Sequence, residues 1–81
     1  VSIDKQAAAT ILSNGIKFDT ISKQNPDKFR SFQTHLESSF PRLHSTLERE
    51  IVNEYSLLYR WKGEDESLAP LLLMAHQDVV P

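Results

Sequence analysis

Cysteine is absent from this 81-residue sequence, and its absence excludes a disulfide framework, a cysteine-ligated zinc site and a thiol nucleophile. Glycine is scarce, with two in the chain. Neither belongs to a loop that cradles phosphate or to a Gly-x-Ser-x-Gly nucleophile elbow. No apolar run approaches the roughly 18 residues that a membrane span requires, and the N-terminus has neither the basic nor the apolar region of a signal peptide. A strong excess of one charge is also missing: nine Lys and Arg face eleven Asp and Glu, for a net charge of -2 and a pI near 5.9. The basic residues are scattered, so the electrostatic footprint of a nucleic-acid binder is lacking. Neither a nucleic-acid partner nor a membrane span is expected. The chain starts at Val1 without Met, which suggests a processed or excised piece whose targeting segment, if it has one, would precede Val1.

What is present is ordinary for a globular chain, at 40% hydrophobic and 25% charged residues. This length allows one small domain at most, and a chain so short leaves much of its apolar surface uncovered. No internal repeat or low-complexity tract interrupts it.

Asp4 or Ser2 can cap a first helix over about residues 4–14, with Ala7, Ala8, Ile11 and Leu12 on one face. Asn14-Gly15 is a stop signal there, because Gly takes the left-handed conformation cheaply. Residues 16–22 alternate only briefly and read as an extended connection. Asn25-Pro26-Asp27 then combines a capping Asn, a Pro at the first helical position and an acid near the positive end of the helix dipole. Phe29, Phe32, Gln33, Leu36 and Phe40 follow at helical spacing, predicting an amphipathic helix over 26–39 that Pro41 ends. His35 lies off that stripe and is expected in solvent. His44, with no carboxylate or second His at ligand spacing, is expected on the surface, and Glu48-Arg49-Glu50 as a solvated turn.

Alternation over 51–61 predicts a strand with its odd positions, Tyr55, Leu57 and Tyr59 among them, on the covered face. Residues 62–67 form an acidic loop whose order does not fit a calcium-binding loop, so a solvated turn is the expectation. Pro70 then opens an apolar run, Leu71 to Ala75, that reads as a second strand over 70–76, buried on both faces. A hairpin-like antiparallel pair joins the two. The fold class is therefore α/β, with two helices followed by a two-stranded unit of an incomplete sheet.

That second strand stops at His76-Gln77-Asp78. Residues two apart on a strand share a face, which places His76 and Asp78 together at a strand's carboxyl end, where sites form in α/β sheets. A neutral imidazole is a good zinc ligand, and a carboxylate that accepts the proton of its other ring nitrogen fixes its tautomer and orientation. His76 is thus a candidate metal ligand, and Asp78 the catalytic-site acid that steadies it.

Leu71-Leu72-Leu73-Met74-Ala75-His76-Gln77-Asp78-Val79-Val80-Pro81 resembles the strand and loop that carry the first metal ligand in the dizinc aminoacylase and carboxypeptidase S family of metallopeptidases. Its Met-Ala-His-x-Asp-Val-Val-Pro form is similar to the N-fatty-acyl-amino acid synthase/hydrolase branch, and the Thr20-Ile21-Ser22 segment is loosely like the one leading into that family's catalytic domain. The resemblance implies the N-terminal part of a zinc-peptidase-like catalytic domain, with His76 on one of two zinc ions and Asp78 orienting it. It also implies a small-molecule N-acyl amino acid or peptide substrate and a secreted or vacuolar compartment. The family's bridging Asp, Glu-Glu pair, further acidic ligand and distal His have no counterpart among these residues. A catalytic zinc typically takes three protein ligands and an open position, so the 81 residues alone are expected to be inactive. A carboxypeptidase acting on peptides is the alternative within this class, and a truncated, non-catalytic interaction module the alternative outside it.

Overall fold

The computed structural model describes residues 2–81. The described chain runs α1 (Lys5–Ile16), α2 (Pro26–Ser39), α3 (Pro41–Thr46), β1 (Glu48–Val52) and β2 (Ser56–Arg60). Helices followed by a two-stranded antiparallel sheet are the composition expected of an incomplete α/β unit. Two compact units divide the chain, Val1–Ser39 with Gln77–Pro81 and Phe40–His76.

In the first unit, Asp4 starts α1 by adopting an extended backbone and accepting the Ala7 amide on Oδ1 at 3.0 Å. Satisfying one of the orphan N–H groups of a first turn this way contributes about 1 kcal/mol. The helix does not stop at Asn14-Gly15 but continues to Ile16, and no glycine among the described residues has a positive φ. Tertiary packing accounts for the difference. Gly15 lies against α2, where a Cβ built on it would sit 3.4 Å from His35 Nε2 and 3.6 Å from Phe32 Cε1. Most of the stability of a short helix comes from such packing, which here favours a last turn that local sequence alone would have ended.

The α2 helix begins as its sequence predicts. Asn25 Oδ1 accepts the Asp27 amide at 3.1 Å, Pro26 is the first helical residue, and Asp27 pairs with Arg30 one turn on at 3.1 Å. Phe29 and Gln33 are buried on the anticipated stripe, while Phe32 and Leu36 are half-buried. A second flank is covered as well. Phe18 meets the edge of Phe32 with ring centroids 5.9 Å apart, and lies 5.5 Å from the imidazole of His35. His35 is therefore not the solvated residue expected of its place off the stripe: its ring is half-buried, with Nε2 3.1 Å from the Ile11 carbonyl of α1 and Nδ1 3.4 Å from Ser39 Oγ. A carbonyl only accepts, so Nε2 carries the proton in that bond. Periodicity on one helix cannot register a neighbouring helix that covers a second face. Among the described residues no large side chain is fully enclosed, in keeping with how little surface a chain of this size can bury.

The second unit departs further from the sequence expectation. Pro41 ends α2 and also opens α3 as its first residue, a position where a missing N–H costs nothing. Six residues are too few to show a helical period, so α3 was not foreseen. The single strand expected over 51–61 is instead a complete hairpin. β1 pairs antiparallel with β2 in the register Glu48↔Arg60 through Val52↔Ser56, and Glu48-Arg49-Glu50 belongs to the ladder rather than to a turn. Within β2 the odd residues Leu57 and Tyr59 are the better covered, as the alternation anticipated. The reversal falls at residues 53–55, where Asn53 (φ 53) and Glu54 (φ 74) take the left-handed region. Asn tolerates that region, but without an Asn-Gly or Asp-Gly pair the turn carries no strong signature.

His44 also differs from the exposed residue expected. Its Nδ1 lies 2.8 Å from the Phe40 carbonyl and its Nε2 2.7 Å from the Tyr59 hydroxyl, with the two rings edge to face at 5.3 Å. These contacts tie α3 to β2. The acidic loop is a solvated turn as anticipated, organised by Asp65 Oδ1 accepting both the Ser67 amide (3.0 Å) and hydroxyl (2.6 Å), and by a Lys62–Glu66 ion pair at 2.8 Å. The strand expected over 70–76 does not form. Leu71 to Met74 are 70–85% exposed, and the sheet consists of β1 and β2. A ribbon apolar on both faces needs sheet neighbours for its backbone groups and covering layers for its side chains, and the described residues supply neither.

Candidate functional site

Residues 77–79 return to the first unit and are fastened there to the connection that follows α1. Thr20 is 2% exposed, and its Oγ1 donates to the Gln77 carbonyl at 2.5 Å. One residue beyond Asp78, the Val79 amide donates to the Thr20 carbonyl at 2.9 Å, and Ile21 and Val79 form a parallel bridge. The Ser22 hydroxyl donates to Asp78 Oδ2 at 2.6 Å, the short distance of a hydrogen bond made to a charged carboxylate. Asp78 is half-buried; His76, the last residue of the second unit, is exposed.

The clasp is built on a bend in the chain. The Ile21 amide turns back to the Asp19 carbonyl at 2.8 Å, and Ile21 is the bridge residue between the two hydroxyl residues Thr20 and Ser22. The chain then turns, with the Gln24 amide on the Ile21 carbonyl at 3.2 Å and Lys23 in the left-handed region at φ 64. From the sequence this stretch reads as an extended connection, loosely like the one that leads into the resembled family's catalytic domain, and Thr20 and Ser22 were missed as partners of the His-x-Asp segment. The usable signal was the i, i+2 pair of hydroxyls, which no period of a longer element reinforces.

The donor chemistry at His76 and Asp78 suits zinc, since imidazole nitrogen and carboxylate oxygen are both common ligands. The number of donors does not complete a site: among the described residues no three His, Asp or Glu side chains gather around a common point. His35 and His44 are held in structural bonds, to Ile11 and Ser39 in one case and to Phe40 and Tyr59 in the other.

Comparison with known proteins bears on what that larger setting is. Over 67 residues the chain is 48% identical to a probable carboxypeptidase S-like 1 protein of Dictyostelium discoideum, an alignment covering 82% of this chain and 14% of that protein. It is 44% identical over 80 residues to carboxypeptidase S of Saccharomyces cerevisiae, covering 86% of this chain and 14% of that protein. With the N-fatty-acyl-amino acid synthase/hydrolase of Homo sapiens it shares 37% identity over 84 residues, covering 96% of this chain and 17% of that protein. The chain thus spans 14% to 17% of the length of these relatives. No family model and no solved structure matches it.

Proposed function

Since this segment belongs to the family of carboxypeptidase S and the N-fatty-acyl-amino acid synthase/hydrolases, we propose that it is the N-terminal, metal-ligand-bearing part of a zinc-dependent hydrolase of amide bonds. The observation that carries the amide-bond part of the reading is identity of 37% to 48% with relatives named carboxypeptidase or N-fatty-acyl-amino acid synthase/hydrolase, and the zinc part rests on the ligand chemistry of the His-x-Asp motif. In support, the acid of the His-x-Asp motif is held in place by a long-range clasp rather than left loose in solvent.

In this proposal His76 offers a neutral imidazole nitrogen to zinc, and Asp78 accepts the proton on the other ring nitrogen, setting the tautomer and raising the basicity of the ligand. Bound zinc supplies a Lewis acid for the substrate carbonyl and acidifies its water. The remaining ligands and the general base lie outside these 81 residues, and the segment alone is inactive.

The substrates named in the two groups of relatives share one chemical unit. The C-terminal residue of a peptide is itself an amino acid acylated on nitrogen, so both reactions join water to an amide and release a free amino acid. The proposed substrate class is accordingly an N-acyl amino acid, hydrolysed or formed in reverse. Peptides are the second reading, favoured by the higher identity to the carboxypeptidases, 44% to 48% against 37%.

The test is to assay the full-length protein against a panel of N-acyl amino acids and peptides, with zinc content measured alongside. His76→Ala is expected to lower bound zinc and remove turnover of every substrate. Wild-type levels of both in that variant would refute the assignment. Zinc-dependent turnover by the isolated 81 residues, lost in His76→Ala, would refute the claim that the segment is inactive alone.

A further inference from the structure

Nothing in the proposed chemistry assigns a role to the connection after α1, yet that connection makes one hydrogen bond to Asp78 and one to the backbone on each side of it. We propose that Ser22 is a positioning residue for the Asp78 carboxylate, with Thr20 holding the backbone on either side of it; the proposal rests on the reading of His76 and Asp78 as metal ligand and orienting acid.

The geometry carries the argument. Thr20 uses its side-chain hydroxyl on the carbonyl of Gln77 and its own carbonyl on the amide of Val79. One nearly inaccessible residue therefore pins the backbone immediately before and immediately after Asp78. With both neighbours fixed, the freedom left to Asp78 is in its side-chain torsions. The Ser22 hydroxyl at 2.6 Å from Oδ2 restricts those torsions by favouring carboxylate orientations that keep the bond. An ionised carboxylate offers about four acceptor positions, so a hydroxyl on one oxygen leaves it able to accept an imidazole N–H.

Ser22 is placed for this by the turn at residues 21–24, which keeps Lys23 in the left-handed region at φ 64. The hydrogen bonds of Thr20 and Ser22 join residues 57 and 56 positions apart. Local turn formation alone would not produce them.

The experiment compares Ser22→Ala, Ser22→Thr, Asp78→Asn and His76→Ala in the full-length protein. Readouts are zinc affinity by chelator competition, kcat and KM separately, and thermal midpoint. Losing a partner that orients a metal ligand typically costs roughly 10- to 100-fold in metal affinity or activity. Ser22→Ala acts one bond further out and is expected at the lower end, about 10-fold in zinc affinity and in kcat. KM should change little, and Ser22→Thr, which keeps the hydroxyl, should restore most of the loss. Unchanged zinc affinity and kcat in Ser22→Ala, with both reduced in Asp78→Asn, would overturn the role given to Ser22 and leave the reading of the site intact. A lowered thermal midpoint with wild-type zinc affinity would overturn it too, showing a clasp that only stabilises the fold. Unchanged zinc affinity in His76→Ala and Asp78→Asn would remove the reading on which the proposal rests, and the proposal with it.

Discussion

Gly15 offers a direct test of the packing between α1 and α2, because local sequence and tertiary structure predict opposite signs for one substitution. In the structure Gly15 is the penultimate residue of α1, with an ordinary helical backbone. Gly15→Ala should then stabilise the fold. Ala is favoured over Gly by up to about 1 kcal/mol in a helix interior, and roughly half of that applies in a last turn. The added methyl would meet His35 Nε2 at 3.4 Å and His35 Cδ2 and Phe32 Cε1 at 3.6 Å. Contacts at those distances are attractive, at about 0.1–0.2 kcal/mol each. The expected gain is about 0.5–1 kcal/mol, which for a domain of this size raises the thermal midpoint by about 2–8 °C. Urea and thermal unfolding followed by far-UV circular dichroism measure it, and an unchanged m-value shows that the shift is one of stability. Were Gly15 a left-handed stop, the same change would cost about 1–2 kcal/mol. A destabilisation of that size would refute the described course of α1 and its contact with His35.

Two further predictions address the second unit. Glu54→Gly should stabilise the hairpin by up to about 1 kcal/mol, because a side-chain-bearing residue at φ 74 gives up roughly 1–2 kcal/mol that Gly does not, offset in part by the greater entropy of Gly in the unfolded chain. A loss of stability in the same urea experiment would show that residue 54 is not left-handed. The hydroxyl and then the amide of Ser67 hold the Asp65 carboxyl below its ordinary value of 3.8. Its folded value lies below its unfolded one, so the bonds to Ser67 favour the ordered loop above the ordinary value and cease to do so as pH falls through the lowered one. The Ser67 amide shift, followed by NMR against pH, should report a midpoint below 3.8; one at or above it would contradict the two hydrogen bonds.

How much was legible in the sequence varied with the range of the determining contacts. The start of α2 follows from Asn25-Pro26-Asp27, and its bounds match the stripe of Phe29, Phe32, Gln33 and Leu36, since capping and amphipathic spacing act within a few residues. The hairpin was half legible. Alternation identified the covered residues of β2, but the reversal at Asn53-Glu54 lacks the Gly that would have marked it. The imidazoles of His35 and His44 were misplaced because each is covered by an element remote on its own helix period, α1 in one case and β2 in the other. At the candidate site, His76 and Asp78 could be named from chain chemistry, whereas Thr20 and Ser22 could not. Their partners lie 57 and 56 residues away, and no spacing rule spans such a distance.

The amino-acid order by itself determined how α1 and α2 begin and nominated His76 and Asp78 as candidates, because capping, periodicity and ligand chemistry are local properties. Folding in three dimensions decided that α1 runs past its glycine, that two histidines serve structure, and that a buried threonine and a serine fasten Asp78 and the backbone beside it. It also decided that the leucine run stands uncovered within these residues. Each of these depends on which distant surface closes over a group, and burial and long-range hydrogen bonds come into existence only when the chain is folded.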